Sequence, residues 1–140
     1  MADTPPVDPQ AHEAGLEILR SLGWPEDSGF ADMDPAFWAF TTETLFGRVW
    51  SRPGLSLRER QIVTLAVLIA ADADRGSMNH LRWACNVGIT ETEMREIIIQ
   101  TMFYAGWPKG AHAMARFAKI LAEPGNGYRN PPQGGAKEQP

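Results

Sequence analysis

The sequence predicts an all-α protein of about six helices, and three observations carry that prediction. No stretch alternates apolar and polar residues with period two between hairpin turns, so strand signals are nearly absent. Apolar stripes at helical spacing recur along the chain instead. Helix-start chemistry precedes several of them, either a Ser or Thr followed three residues later by Glu, or an Asp–Pro pair.

The first helix is expected from about Gln10 to Leu22, where Ala14, Leu16, Ile18, Leu19 and Leu22 form a moderate stripe. "GWPEDSGFADMD" then reads as a loop. Asp34–Pro35 supplies an N-cap and a first-turn proline for a helix carrying Phe37, Trp38, Phe40, Leu45, Phe46, Val49 and Trp50, which "SRPG" ends. Ser56 and Glu59 form a capping box for the next helix, whose "QIVTLAVLIAA" is apolar on nearly every face. Such a helix is expected to be buried all round, at the centre of the fold or of an assembly. Asp72 to Gly76 breaks it, Ser77 can cap a short helix holding His80 and Cys85, and Gly88 stands where a C′ glycine belongs. Thr90 and Glu93 repeat the capping box and open "EMREIIIQTMFYA". "GWP" at Gly106 to Pro108 interrupts that helix, and the last one runs from there to about Glu123. Residues 1–13 therefore read as a flexible N-terminal segment and 14–123 as the helical domain. Residues 124–140, "PGNGYRNPPQGGAKEQP", read as a disordered Pro/Gly-rich tail.

At 140 residues the chain fits one domain comfortably, with a small core that self-association would extend. A formal charge of −4 with scattered Lys and Arg argues against a nucleic-acid surface, which needs clustered cations to displace counterions. A single cysteine cannot form an intramolecular disulfide. The start is acidic and proline-rich, unlike a secretory leader. The apolar run from Ile62 to Ala71 covers only about half of the roughly 20 residues a membrane span needs. The expectation is a cytoplasmic protein with no membrane partner.

Four groups of residues could carry chemistry. On a helix, the neighbours of His80 are Trp83, Ala84 and Val87, which gives the imidazole an apolar face. It is either a core histidine tied to a backbone carbonyl or a general acid/base whose pKa is set by burial and charge. Cys85 has no second cysteine and no adjacent cation, and reads as a small buried hydrophobe rather than a reactive thiol. Arg58 and Arg60 occupy a first helical turn, where the macrodipole disfavours cations by about 0.3–1 kcal/mol each. Carboxylates such as Glu59 and Glu93, or an anionic ligand, should offset that cost; Glu59 is already accounted for as a capping residue. Tyr104, beside Trp107 in "YAGWP", can donate to a developing oxyanion or simply pack as an aromatic.

Taken together, "GRVWSRPGLSLRERQIVTLAVLIA", "NHLRWACNVGIT" and "EMREIIIQTMFYAGWP" resemble the gamma-carboxymuconolactone decarboxylase family, with a register covering about Ala14 to Glu123. The specific signal is the combination of W-x-R-P-G-L-x-x-R-x-R, H-L-x-x-A-x-x-x-G-[IV]-T and Y-x-G-x-P at these separations. The resemblance implies an alkylhydroperoxidase-like helical fold and a cofactor-free enzyme assembled as a homotrimer or homohexamer. Its partner would be a small carboxylated substrate such as gamma-carboxymuconolactone, in aromatic compound catabolism. The redox branch of that superfamily carries C-x-x-C-x-x-x-H and a glutamate on the preceding helix. Laid onto His80, those cysteine positions are Ala73 and Gly76 and the glutamate position is Gln61, so a thiol peroxidase is not expected.

A carboxy-lyase makes chemical sense on this scaffold. Loss of carbon dioxide from such a lactone leaves a carbanion conjugated to the lactone carbonyl, so the substrate carries its own electron sink. With the family's shared positions, this chemistry gives His80 the role of proton donor or of hydrogen bond to the enolate, and Arg60 that of carboxylate anchor, with Arg58 second. Tyr104 is the oxyanion partner. Trp50, Trp83 and Met78 form a dry wall, and Gln61 joins the substrate-binding residues. Two departures lie nearby: "DRGSMNH" replaces an E-E-L-x-x-H pattern, and Val87 replaces an asparagine before the glycine. They leave the substrate open, and a related isomerase, a lactone hydrolase or a catalytically silent ligand-binding member are the alternatives.

Overall fold

The computed structural model describes residues 8–25 and 30–129. All regular structure among these residues is helical, as the sequence predicts. They fall into two compact units, one ending at Leu55 and one beginning at Ser56.

In the N-terminal unit, α1 (Pro9–Leu22) opens on Asp8, whose carboxylate accepts from the backbone N–H groups of Gln10 and Ala11. Gly23 ends it at φ 85°, a left-handed conformation that glycine adopts without steric cost. The boundary expected after residue 13 thus falls inside this helix. A short helix, α2 (Phe30–Met33), interrupts the stretch expected as loop. The helix expected from Asp34–Pro35 does begin there, as α3 (Pro35–Ala39), with the Asp34 side chain accepting from Phe37 N–H. It does not continue as an α-helix: Phe40–Trp50 is wound as a π-helix. This helix lies close against α1. A Cβ on Gly15 would lie 1.8 Å from the carbonyl oxygen of Thr42, and one on Gly47 would lie 2.1 Å from that of Ala11. The two helices therefore meet backbone to backbone. Around that contact Thr42 is buried, donating to Trp38 O at 2.9 Å and pairing with His12 Nδ1 at 2.8 Å. Buried Glu43 accepts from Asp8 N–H at 3.0 Å, and Phe46 packs on both Trp24 and Trp50.

The C-terminal unit is built from α4 (Leu57–Ala70), α5 (Asp74–Trp83), α6 (Glu91–Ala105) and α7 (Trp107–Ala122), with a 3₁₀ turn, Ala84–Val87, after α5. Both expected capping boxes form, Ser56 with Glu59 and Thr90 with Glu93. Leu65 and Ile69 of α4, Leu81 of α5, Met94 and Ile98 of α6, and Phe117 and Ile120 of α7 make one aliphatic core. Burying each such side chain contributes about 1.5–3 kcal/mol, so this core holds the four helices together.

Three local expectations need correction here. Helix α4 is not buried all round: Gln61, Leu65 and Ile69 form its buried stripe, while Val63 and Val67 are 55% and 61% exposed. The apolar face opposite the core is open to solvent in one chain. Helix α5 starts three residues before Ser77, which is no cap but a buried mid-helix residue donating to Asp74 O at 3.0 Å. The break between α4 and α5 is short because Asp72 takes a left-handed conformation at φ 50°, which Asp tolerates better than most residues. Finally, the first residues of the expected tail are packed. Asn126 is buried and donates to Leu121 O and Glu123 O, and Tyr128 sets its ring edge-on against Phe117 at 5.0 Å. Residues 130–140 lie outside the described residues. No described helix is long and apolar enough to cross a membrane.

Candidate active site

Two adjacent helices place the central group. Gln61 sits on the buried stripe of α4, one turn before Leu65, and is only 1% exposed. His80 lies in the last turn of α5, beside Leu81, which is fully buried in the core. The Gln61 side chain meets His80 twice: its Nε2 donates to the His80 carbonyl at 2.9 Å, and its Oε1 pairs with ring Nδ1 at 3.0 Å. Both readings given for His80 bear on what is observed, since the residue is half-buried and its backbone is engaged, yet its ring is bound by a side chain. Burial lowers the imidazole pKa to about 4, because desolvation penalises the cation. His80 is therefore neutral at pH 7.

The other expected residues lie on several elements. Trp83 and Met78 are half-buried on α5, Met78 against the aliphatic core. Arg60 is half-buried on α4 next to Gln61 in the chain. Arg58 forms an ion pair with Glu93 at the start of α6, so one of the two carboxylates expected to offset the macrodipole does so. The other, Glu59, is held below the usual carboxylate range by its hydrogen bonds with Ser56. Tyr104 lies on α6 but faces solvent, 87% exposed. Trp50 belongs to the N-terminal unit, buried against Phe46 at 5.4 Å. Gln61, expected among substrate contacts, is buried and makes two hydrogen bonds to His80.

Cys85 is buried, and desolvation raises its thiol pKa, the opposite of what thiolate chemistry requires. Among the described residues no three His, Cys, Asp or Glu side chains gather to hold a metal ion. The N-terminal unit contains a groove of about 240 Å³ lined by Leu16, Leu19, Arg20, Trp24, Pro25 and Trp38, which includes none of the expected site residues.

Two features around His80 were not anticipated. The hydroxyl of Tyr128 donates to Leu81 O, the carbonyl next to that of His80, so a residue of the expected tail braces α5. At the other end of α5, Arg116 of α7 bonds Asp72 at 2.7 Å and Asp74 at 2.8 Å, and His112 bonds Asp72 at 2.8 Å. This clamp ties the α4–α5 turn to α7. An isolated tyrosine in a Pro/Gly-rich stretch was the only sequence signal for the first, and nothing local marked the second.

Comparison with known proteins gives consistent matches. The model of the carboxymuconolactone decarboxylase family matches residues 35–119. The 4-carboxymuconolactone decarboxylase of Acinetobacter baylyi is 33% identical over 128 residues, covering 84% of this chain and 92% of that protein. The nitrosuccinic acid decarboxylase of Metarhizium robertsii is 40% identical over 80 residues, covering 57% of this chain and 56% of that protein.

Proposed function

The chain belongs to the carboxymuconolactone decarboxylase family, and on that premise we propose that it is a carbon–carbon lyase releasing carbon dioxide from a small carboxylated compound. The observation that supports this most is His80, a neutral imidazole in a desolvated position, held by a buried amide. The substrates named for the two relatives share one chemistry. In carboxymuconolactone and in nitrosuccinic acid, a carboxylate departs from a carbon whose electron pair passes into a conjugated lactone carbonyl or a nitro group. Each also keeps a second carboxylate. The substrate class for this chain is therefore a small diacid with one carboxylate beside such a sink, which needs neither metal nor pyridoxal to hold the charge.

In this reading Arg60 grips the retained carboxylate as a planar, permanently charged fork, and Arg58 assists while sharing Glu93. His80 handles the proton, and Trp83 with Met78 keeps water from the departing carboxylate. Tyr104 acts from a second copy of the chain. Its exposure, with that of Val63, Val67, Ile99, Phe103 and Trp107 on the same unit, supports self-association through these faces, as a homotrimer or homohexamer.

The test is turnover of 4-carboxymuconolactone and nitrosuccinic acid, following absorbance and carbon dioxide together. His80→Gln should lower kcat by about 10²–10⁴-fold, the usual worth of a positioned proton-transfer group. Unchanged turnover in that variant would remove His80 from the mechanism. Because a neutral imidazole is also a base, proton abstraction is the second reading. Substrate consumption without carbon dioxide would select an isomerase or lactone hydrolase, and saturable binding without turnover would select a silent ligand-binding member.

A further inference from the structure

We propose that Gln61 is a positioning residue that holds His80 in the Nδ1–H tautomer, so that Nε2 carries the ring's lone pair and His80 takes up a proton before it delivers one. The argument is one of donors and acceptors. A backbone carbonyl only accepts, so the end of the Gln61 amide that lies 2.9 Å from His80 O is the NH₂ group. The other end is then the carbonyl oxygen, which also only accepts, and the ring nitrogen 3.0 Å from it must carry the hydrogen. Flipping the amide would place its oxygen against the His80 carbonyl oxygen, so that contact fixes the amide and, through it, the tautomer. Gln61 is 1% exposed, and water cannot stand in for either partner. Free neutral imidazole prefers the opposite tautomer in water, so the assignment requires this amide.

The consequence rests on the lyase reading above and refines it. A neutral ring with hydrogen on Nδ1 has no proton at Nε2 to give. A proton from solvent must first bind Nε2, favoured once an anionic substrate lies close. The carbon–carboxylate bond then breaks, carbon dioxide leaves, and its electron pair enters the substrate's carbonyl or nitro group. The Nε2 proton passes to carbon and the ring returns to its neutral Nδ1–H form. The sum is carboxylate plus one proton giving the C–H product plus carbon dioxide.

The test is the long-range ¹H–¹⁵N spectrum of ¹⁵N-histidine-labelled protein at pH 7 without substrate, with His80 assigned by difference from His80→Gln. The expected result is a protonated Nδ1 and an unprotonated Nε2. Gln61→Leu should shift hydrogen to Nε2 and lower kcat at least about tenfold with KM changed less than about twofold, the pattern of lost orientation rather than lost binding. Gln61→Glu keeps an acceptor for Nδ1 but loses the donor to His80 O, so hydrogen should stay on Nδ1 while the neighbouring carboxylate raises the ring's pKa. An Nε2–H ring in the wild type, or an unaltered Nδ1–H ring in folded Gln61→Leu, overturns the proposal. If Gln61→Leu fails to fold, the wild-type and Gln61→Glu spectra decide. Because the spectra need no turnover, failure of the lyase assay and failure of this inference are separate results.

Discussion

The two units of this chain are held together by opposite means. In the N-terminal unit, α1 and the π-helix touch through bare backbone at Gly15 and Gly47, and the surrounding side chains include buried Thr42 and Glu43. In the C-terminal unit, four α-helices, two of them closed by capping boxes, are separated by Leu, Ile, Met and Phe side chains. The helix contact of the first region leaves no room for a methyl group against backbone carbonyls, and the core of the second is most sensitive to a missing one. The difference teaches where each kind of substitution will be felt, and it can be broken or sharpened in order of expected size.

The largest effect belongs to the aliphatic core. Phe117→Ala removes a fully buried ring that also supports Tyr128 and should cost about 3–5 kcal/mol, read from denaturant unfolding. Next comes Gly15→Ala. In an ordinary helix this exchange stabilises by about 0.5–1 kcal/mol; here the new Cβ meets the Thr42 carbonyl and the sign should invert, to a loss of about 2–3 kcal/mol. A stabilised Gly15→Ala protein would break the comparison. Acid titration probes the C-terminal unit through His80. Its pKa is lowered in the folded state to about 4 from 6.5, so the unfolded chain binds more protons between those values. The contribution, about 2–3 kcal/mol, is present above pH 6.5 and is lost as pH falls toward 4. The wild type should therefore lose more stability than His80→Gln across that window, as seen in paired unfolding curves. Thr90→Ala opens one capping box and should cost about 1 kcal/mol. The smallest change is Gly54→Ala, where a Cβ meets nothing within 4 Å, and unfolding should move by less than about 0.5 kcal/mol.

The same contrast explains what could be read in advance. Capping boxes at Ser56–Glu59 and Thr90–Glu93, the break at Gly106 and the αL glycine at Gly88 are written in adjacent residues, so the C-terminal helices were legible almost to their ends. The π-winding of Phe40–Trp50 was not, nor was the approach of Gly15 and Gly47, more than thirty residues apart, to opposite carbonyls. The start of α5 was also misplaced: Asp72 and Asp74 are held by Arg116 of α7, a partner that local pattern cannot reveal. At the site, His80 stood out by residue type and face. The role of Gln61 did not, since an amide on an apolar helix gives no hint that both its ends will be taken by one histidine. Tyr104 was singled out for its chemistry, and in one chain it faces solvent.

The buried cysteine offers a use unrelated to catalysis. Cys85 is the chain's sole thiol. A methyl group on Gly127 would come within 2.5 Å of its sulfur, so the segment carrying Asn126 and Tyr128 lies directly over it. Alkylation of that sulfur should be slow while the cover is closed. The rate of modification in the untouched protein thus becomes a built-in clock for local opening beside α5, and Tyr128→Phe, which deletes the bond to Leu81, should make it run faster.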